Sequence, residues 1–111
     1  MKDGHYIDEA GDEVWVQDGK YHRLDGPAKI WRDGTQIWLQ NGLNHRIDGP
    51  AVIYPDGSQF WYLDGFYHRE DGPAVILQSG DKEYWLNGIQ YQNEILWRIE
   101  AQKMKRQEND K

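Results

Sequence analysis

Short hydrophobic runs alternate with polar, glycine-containing turns along most of the chain, and the pattern returns every 23 residues. In one unit, residues 35–40 read TQIWLQ, the pair Asn41-Gly42 follows, and a return segment covers residues 45–54. Asn-Gly between two such runs is a strong hairpin signal, because both turn residues must take positive φ. An Asp-Gly-Pro tract at 48–50 interrupts the return segment, since proline has no N–H for a strand ladder. The pattern therefore predicts two antiparallel strands and two turns in each unit.

The period is clearest in a tract that starts with His-Arg and ends with Asp-Gly-Pro-Ala. This tract occupies residues 22–28, 45–51 and 68–74, which are 23 residues apart. A fixed period of this length is typical of a stacked array, in which each unit buries its face against its neighbours. The array covers residues 5–91 and corresponds to about three and a half units, or roughly seven to eight strands. Residues that recur in every unit are therefore expected to build the repeat.

After Tyr91 the pattern changes from alternation to helical spacing. Asn93 fits an N-cap, with Glu94 in the first turn. The apolar residues at helical spacing are Ile95, Leu96, Trp97, Ile99, Ala101 and Met104. We therefore expect a capping helix over 93–106 and a frayed tail over 107–111. The predicted fold is an all-β repeat array, an antiparallel β-hairpin meander of 23-residue units with a C-terminal capping α-helix.

The charge distribution narrows the choice of partners. The chain has 111 residues and a net charge of −6, and we expect a single domain, residues 1–111. Residues 1–92 hold 8 basic and 15 acidic side chains, a balance of −7, whereas residues 93–111 hold 5 basic and 4 acidic side chains, a balance of +1. This acidic body counts against nucleic acid as a partner, because phosphate binding needs a basic surface.

The sequence shows neither a membrane span nor a secretion signal. No run approaches the ~20 apolar residues that a spanning helix needs, and no apolar stretch follows Met1-Lys2-Asp3. The chain has no cysteine, which removes disulfides and thiolate chemistry. We therefore expect a cytoplasmic location and no membrane partner.

The repeated unit is similar to the MORN repeat, in the variant that carries His-Arg-x-Asp-Gly-Pro-Ala. The resemblance covers residues 5–91 and includes the turn tracts 55–57 (Pro-Asp-Gly) and 86–88 (Leu-Asn-Gly). In this variant, His-Arg-x-Asp-Gly-Pro stands where a standard MORN unit has His-Gly. The resemblance implies a β-hairpin meander in one elongated, twisted sheet, with a scaffolding or binding role and no catalytic residues. It also implies a bacterial, phage or large-virus source, because units of this variant occur in such proteins.

The recurring histidines and aspartates are expected to be structural. Equivalent side chains of neighbouring units lie roughly 9–10 Å apart at ~4.8 Å per strand. That is too far for His22, His45 and His68 to share one zinc ion, whose ligands sit at about 2 Å. The aspartate before each Gly-Pro, as at Asp25, Asp48 and Asp71, fits an Asx turn. No nucleophile motif, phosphate loop or Cys/His cluster is present, so we expect no enzyme, no metal site and no cofactor.

The aromatic columns predict where a partner binds. Strand alternation places Trp15, Trp38, Trp61 and Tyr84 on one face and Val16, Leu39, Tyr62 and Trp85 on the other. One short helix cannot cover both faces, so sheet curling, a homodimer or another protein is expected to hide the rest. Tryptophan, tyrosine and arginine are also typical of interaction hot spots. The predicted binding residues are Trp15, Trp38, Trp61, Tyr21, Tyr67, Arg23, Arg46 and Arg69.

Two functions agree with these observations. The first is a non-catalytic protein-interaction module, such as a phage or bacterial accessory protein that docks on and blocks a host or defence protein. Its acidic body would suit a basic partner surface. The second is a small-molecule binder, such as a sponge for a signalling nucleotide, that stacks bases on aromatic rings and binds phosphate with arginine. A homodimer, formed through an aromatic face or the N-terminal edge near Tyr6-Ile7, is compatible with both.

Overall fold

The computed structural model of the protein describes residues 1–109 and shows a meander of short strands followed by one helix. The strands are β1 (Gly4–Ile7), β2 (Glu13–Gln17), β3 (Lys20–Tyr21), β4 (Lys29–Ile30), β5 (Gln36–Ile37), β6 (Leu39–Gln40), β7 (Leu43–Asn44), β8 (Val52–Ile53), β9 (Gln59–Phe60), β10 (Tyr62–Leu63), β11 (Phe66–Tyr67), β12 (Val75–Ile76), β13 (Lys82–Leu86) and β14 (Ile89–Tyr91), and the helix is α1 (Glu94–Asn109). Within these residues, no helix is long and apolar enough to cross a bilayer.

Ten of the strands form one antiparallel sheet in the order β1-β2-β4-β5-β8-β9-β12-β13-β14, with β3 also paired to β2. The pairs β6-β7 and β10-β11 are separate two-stranded hairpins. One row of residues runs straight across the sheet: Val14, Lys29, Ile37, Val52, Phe60, Val75 and Glu83. The expected antiparallel meander with a C-terminal helix is therefore confirmed at this level of description.

The strands are shorter and more numerous than the sequence predicted, because the chain changes its pairing partner at Trp38 and at Trp61. The N–H of Trp38 donates to the carbonyl of Ala51 (2.7 Å), whereas its own carbonyl accepts from the N–H of His45 (3.1 Å). Trp61 repeats this arrangement one unit later. Residues 45–51, expected to lie in an interrupted return strand, form a bend between β7 and β8.

The hairpin turns take the conformation that their sequences predict. Asp18, Asn41, Asp64 and Asn87 have φ values of 53°, 51°, 49° and 50°, and each precedes a glycine with positive φ. Two consecutive residues with positive φ define the type I′ turn, which matches the twist of the flanking strands. The N–H of Gly42 also donates to the carbonyl of Tyr21 in the preceding hairpin (2.9 Å), so successive hairpins are joined.

Helix α1 packs on the last hairpin and buries one of its sides. Asn93 caps it by accepting a hydrogen bond from the N–H of Leu96 (2.9 Å). Its packed residues are Trp97, Ala101 and Met104, which contact Tyr84, Leu86 and Tyr91. Trp97 also donates its indole N–H to the carbonyl of Arg69 (3.0 Å).

The helix is longer than expected, and only part of its apolar surface is buried against the sheet. Residues 107–109, predicted as part of a frayed tail, are helical, because Gln107 and Glu108 favour helix and no glycine or proline interrupts it. Residues 110–111 of that tail lie outside the described residues. The remaining apolar residues of the predicted stripe, Ile95, Leu96 and Ile99, are 70%, 47% and 47% exposed.

Candidate binding face

The two faces of the sheet carry different side chains. We call the side with Trp15, Trp38, Trp61 and Tyr84 the tryptophan face and the other side the tyrosine face. Directly opposed residues of an antiparallel pair point to the same side, and neighbours in a strand alternate. Because Tyr21 pairs with Val16 and Tyr67 pairs with Tyr62, both tyrosines lie on the tyrosine face. The eight predicted binding residues are therefore not brought together on a single surface.

An arginine covers each of the three tryptophans Trp15, Trp38 and Trp61. The guanidinium carbon of Arg46 lies 3.9 Å from the ring centroid of Trp38. Its Nε–H donates to Asp48 Oδ1 (3.1 Å) and its Nη1–H donates to the carbonyl of Pro50 (3.1 Å). A β-carbon on Gly49 would approach the guanidinium carbon to 2.8 Å, which explains glycine at this position. Arginine therefore fills a space enclosed by the ring, the carboxylate and the glycine.

The same arrangement recurs in the neighbouring units, with Arg23 on Trp15 and Arg69 on Trp61. We call residues 22–27, 45–50 and 68–73 the first, second and third Arg loops. Their aspartates, Asp25, Asp48 and Asp71, have side chains that are 89%, 86% and 79% exposed. A hydrogen bond from the Arg23 guanidinium lowers the pKa of Asp25. The stabilisation from this contact is present at neutral pH and is lost in acid, as the carboxylate protonates.

The recurring histidines bind backbone. The Nδ1 atoms of His22, His45 and His68 accept hydrogen bonds from the N–H groups of Asn41 (3.0 Å), Asp64 (3.1 Å) and Asn87 (2.9 Å), respectively. Each histidine thus holds the first turn residue of the next hairpin. Within residues 1–109, no three histidine or carboxylate side chains form a group that could hold a metal ion. These hydrogen bonds indicate that His22, His45 and His68 have a structural role.

Substitutions of His45 test the structural role of its hydrogen bond from the N–H of Asp64. We expect His45→Ala to lower the free energy of unfolding by about 1 kcal/mol, because the N–H of Asp64 loses its acceptor. His45→Asn offers an oxygen close to the position of Nδ1 and should retain part of this stability. Urea titration followed by tryptophan fluorescence measures both variants. Equal losses in the two variants would contradict the role of the hydrogen bond.

Grooves separate the Arg loops on the tryptophan face. The first, of about 410 Å³, lies between the first and second Arg loops; the second, of about 660 Å³, lies between the second and third. Equivalent residues line both: Asp25 and Asp48, Gly26 and Gly49, Trp38 and Trp61, His45 and His68, Arg46 and Arg69. A third opening, of about 290 Å³, separates the third Arg loop from Trp97 and Arg98 of α1. We call these three openings the loop grooves.

Aliphatic side chains project from the walls of the loop grooves. Leu24 is 74% exposed and Ile47 is 84% exposed, although both lie in otherwise polar loops. Glu70 occupies the equivalent position in the third Arg loop. The sequence analysis did not select Leu24 or Ile47, because it searched for residues that recur and this position varies. That variation within an otherwise repeated tract was the available signal.

The tyrosine face holds an aromatic cluster. Ring centroids are 4.6 Å apart for Tyr62 and Tyr67, 5.0 Å for Tyr67 and Trp85, and 6.2 Å for Phe60 and Tyr67. Burial, with a smaller contribution from the Tyr67 hydroxyl, raises the pKa of Tyr62 above its usual value. Near the N-terminal end of the sheet, Lys29 Nζ lies 4.9 Å from the ring centroid of Tyr21. These rings pack on one another but are only half-buried, so the cluster remains partly open to solvent.

Comparisons with protein-family models, with curated proteins and with solved structures found no match to this chain.

Proposed function

We propose that this protein is a non-catalytic protein-interaction module, built as a stacked array of MORN-type units, and that it docks through the loop grooves. The observation that carries the proposal is the exposure of Leu24 (74%) and Ile47 (84%) beside two equivalent grooves. Exposed aliphatic side chains at a groove gain the most from burial by a partner. Arginine and tryptophan side chains line the same two grooves.

The hydrogen bonds that the three arginines already make favour a protein partner over a nucleotide. Each predicted arginine already donates to an aspartate and to a proline carbonyl of its own loop. Binding a phosphate through the planar guanidinium fork would compete with these hydrogen bonds. In all three units, the guanidinium also covers one side of the tryptophan ring, at 3.9 Å from the ring centroid. That side of the ring is not open for a base to stack on. An apolar contact with Leu24 and Ile47 needs no such rearrangement.

The net charge of residues 1–92 supports a basic partner protein, and the resemblance to MORN-type units supports a phage or bacterial origin. Residues 1–92 carry a balance of −7, so a basic protein surface would associate faster and in a defined orientation. We assign the protein to the accessory proteins of phages or bacteria that block a host or defence component in the cytoplasm. Self-association through β1 is a second mode of assembly. Among the described residues, β1 pairs with β2 alone, which leaves its outer edge free for strand addition.

Affinity purification from bacterial lysate with mass spectrometry tests the docking face. We expect the wild-type protein to enrich a specific protein, and Ile47→Lys to lose that enrichment, because the apolar contact is lost and the introduced positive charge repels a basic partner surface. Ile95→Lys is the matched control, since Ile95 is 70% exposed on α1, outside the second Arg loop. Thermal melts should show both variants folded. Equal capture by both variants would remove the loop grooves from the interface.

A further inference from the structure

The Arg loops follow one another across the strands of the sheet, and we call this succession of loops the ladder. Successive loops belong to successive units, and each unit advances the sheet by two strands of the β2-β4-β5-β8-β9-β12 path. With strands about 4.8 Å apart, the ladder has a step of roughly 9.6 Å. An extended segment lying along the ladder would therefore meet an equivalent groove at each such step.

This step selects the backbone of the bound segment. A polyproline II helix has three residues per turn and rises ~3.1 Å per residue, so every third side chain points the same way at intervals of about 9.3 Å. A β-strand covers a similar distance in three residues, but its side chains alternate, so every third one points away. An α-helix returns a side chain to the same face every seven residues, over about 10.5 Å, and so overshoots the step by about 1 Å in each unit. The polyproline II conformation matches the step most closely, to about 0.3 Å, and presents one side chain to each loop groove.

The walls of the grooves select the side chain. Leu24 and Ile47 offer apolar surface, and Asp25, Asp48 and Asp71 place exposed carboxylates at the rims. The hydrogen bonds from the arginine Nε–H groups engage the Oδ1 atom of each aspartate. A lysine or arginine side chain fits both features, because its aliphatic stem packs on apolar surface while its charged end reaches a carboxylate.

We propose that the loop grooves bind a polyproline II segment of a partner protein that carries lysine or arginine at every third position. This inference rests on the proposed function and specifies the partner that the docking face recognises. The second groove has the most acidic lining, since Glu70 and Glu108 join Asp48 and Asp71 there and outnumber Arg46 and Arg69. The excess of acidic side chains in residues 1–92 also attracts a positively charged segment.

Synthetic peptides test the spacing with the full-length protein. The first peptide contains four Pro-Pro-Lys units and the second contains four Pro-Pro-Pro-Lys units, so proline imposes the same conformation on both and only the lysine spacing differs. A third peptide of four Pro-Pro-Gln units removes the charge. Fluorescence anisotropy of labelled peptides at low salt should show the first binding at least about tenfold more tightly than either control. Equal affinities, or no binding by the first peptide, would overturn the proposal.

Two variants locate the peptide on the protein. Asp48→Asn retains an oxygen for the Arg46 Nε–H but removes the charge, and it should weaken the first peptide about two- to fivefold. Asp18→Asn is the control, because asparagine already stands at the equivalent turn positions 41 and 87, and it should leave the affinity unchanged. Equal weakening by both variants would show general charge attraction and overturn the assignment to the grooves. If the peptides bind regardless of their lysine spacing while capture of a protein from lysate still depends on Ile47, this inference is wrong but the proposed function stands.

Discussion

Replacing Trp97 with alanine is expected to lower the free energy of unfolding by about 3–5 kcal/mol, the range for truncating a buried aromatic side chain. Trp97 is 5% exposed, packs on Tyr84 and Leu86, and donates its indole N–H to Arg69 O. Since small domains have about 5–15 kcal/mol in total, this variant should be near the limit of folding. Urea titration followed by far-ultraviolet circular dichroism measures the change.

Ile95→Ala is the matched control on the same helix. Ile95 is 70% exposed, so its truncation should change the stability by less than about 0.5 kcal/mol. Deletion of residues 92–111 should act like Trp97→Ala, but more strongly, because it exposes Leu86 and Tyr84 together. We expect aggregation or a lower melting temperature from this truncation. A soluble fragment 1–91 as stable as the full chain would show that α1 does not cap the sheet.

Arg46→Ala is expected to lower the free energy of unfolding by about 2–4 kcal/mol, the second largest effect among the single substitutions. The variant loses the stacking on Trp38 and the hydrogen bonds to Asp48 and Pro50. The hydrogen bond from the charged guanidinium to the Pro50 carbonyl contributes about 1.5–3 kcal/mol. The pair with the exposed Asp48 carboxylate adds less than about 1 kcal/mol, and a cation over an aromatic ring contributes about 0.5–2 kcal/mol. Arg46→Lys should recover only a small part, because an ammonium group cannot donate in the planar fork geometry.

Arg98→Ala serves as the control for this prediction. Arg98 lies on the surface of α1 and pairs with Glu94 at a spacing of four residues, an arrangement worth about 0.3–0.5 kcal/mol. Gly49→Ala tests the same site from the other side, since its β-carbon would lie 2.8 Å from the guanidinium carbon of Arg46. Stability losses for Arg46→Ala no larger than those for Arg98→Ala would contradict the structural role of the arginine.

These predictions depend on features that the sequence revealed to different extents. The type I′ turns at Asn41-Gly42 and its equivalents were predictable, because few residues other than glycine, asparagine and aspartate tolerate positive φ. The start of α1 was predictable for a similar reason, since the cap from Asn93 is formed within one helical turn. The assignment of side chains to two faces followed from strand alternation alone.

The candidate binding face was less predictable. The sequence analysis selected the residues that recur, and the structure uses those residues to build the loops: Arg46 covers Trp38, and His45 holds the next hairpin. The exposed residues Leu24 and Ile47 occupy the position in the tract that does not recur. Exposure depends on which neighbouring units cover a side chain, and a local pattern does not contain that information.

The sequence by itself determined the turns, the alternation of the strands, the helix start and the 23-residue recurrence, because each depends on the backbone preferences of neighbouring residues. Only the tertiary structure decided where the strands divide, since the break at Trp38 arises from hydrogen bonds to two different segments of the chain. It also decided which half of the apolar stripe of α1 is buried, because the last hairpin offers one contact surface, around Leu86. The loop grooves exist for the same reason: they lie between units and belong to no single one.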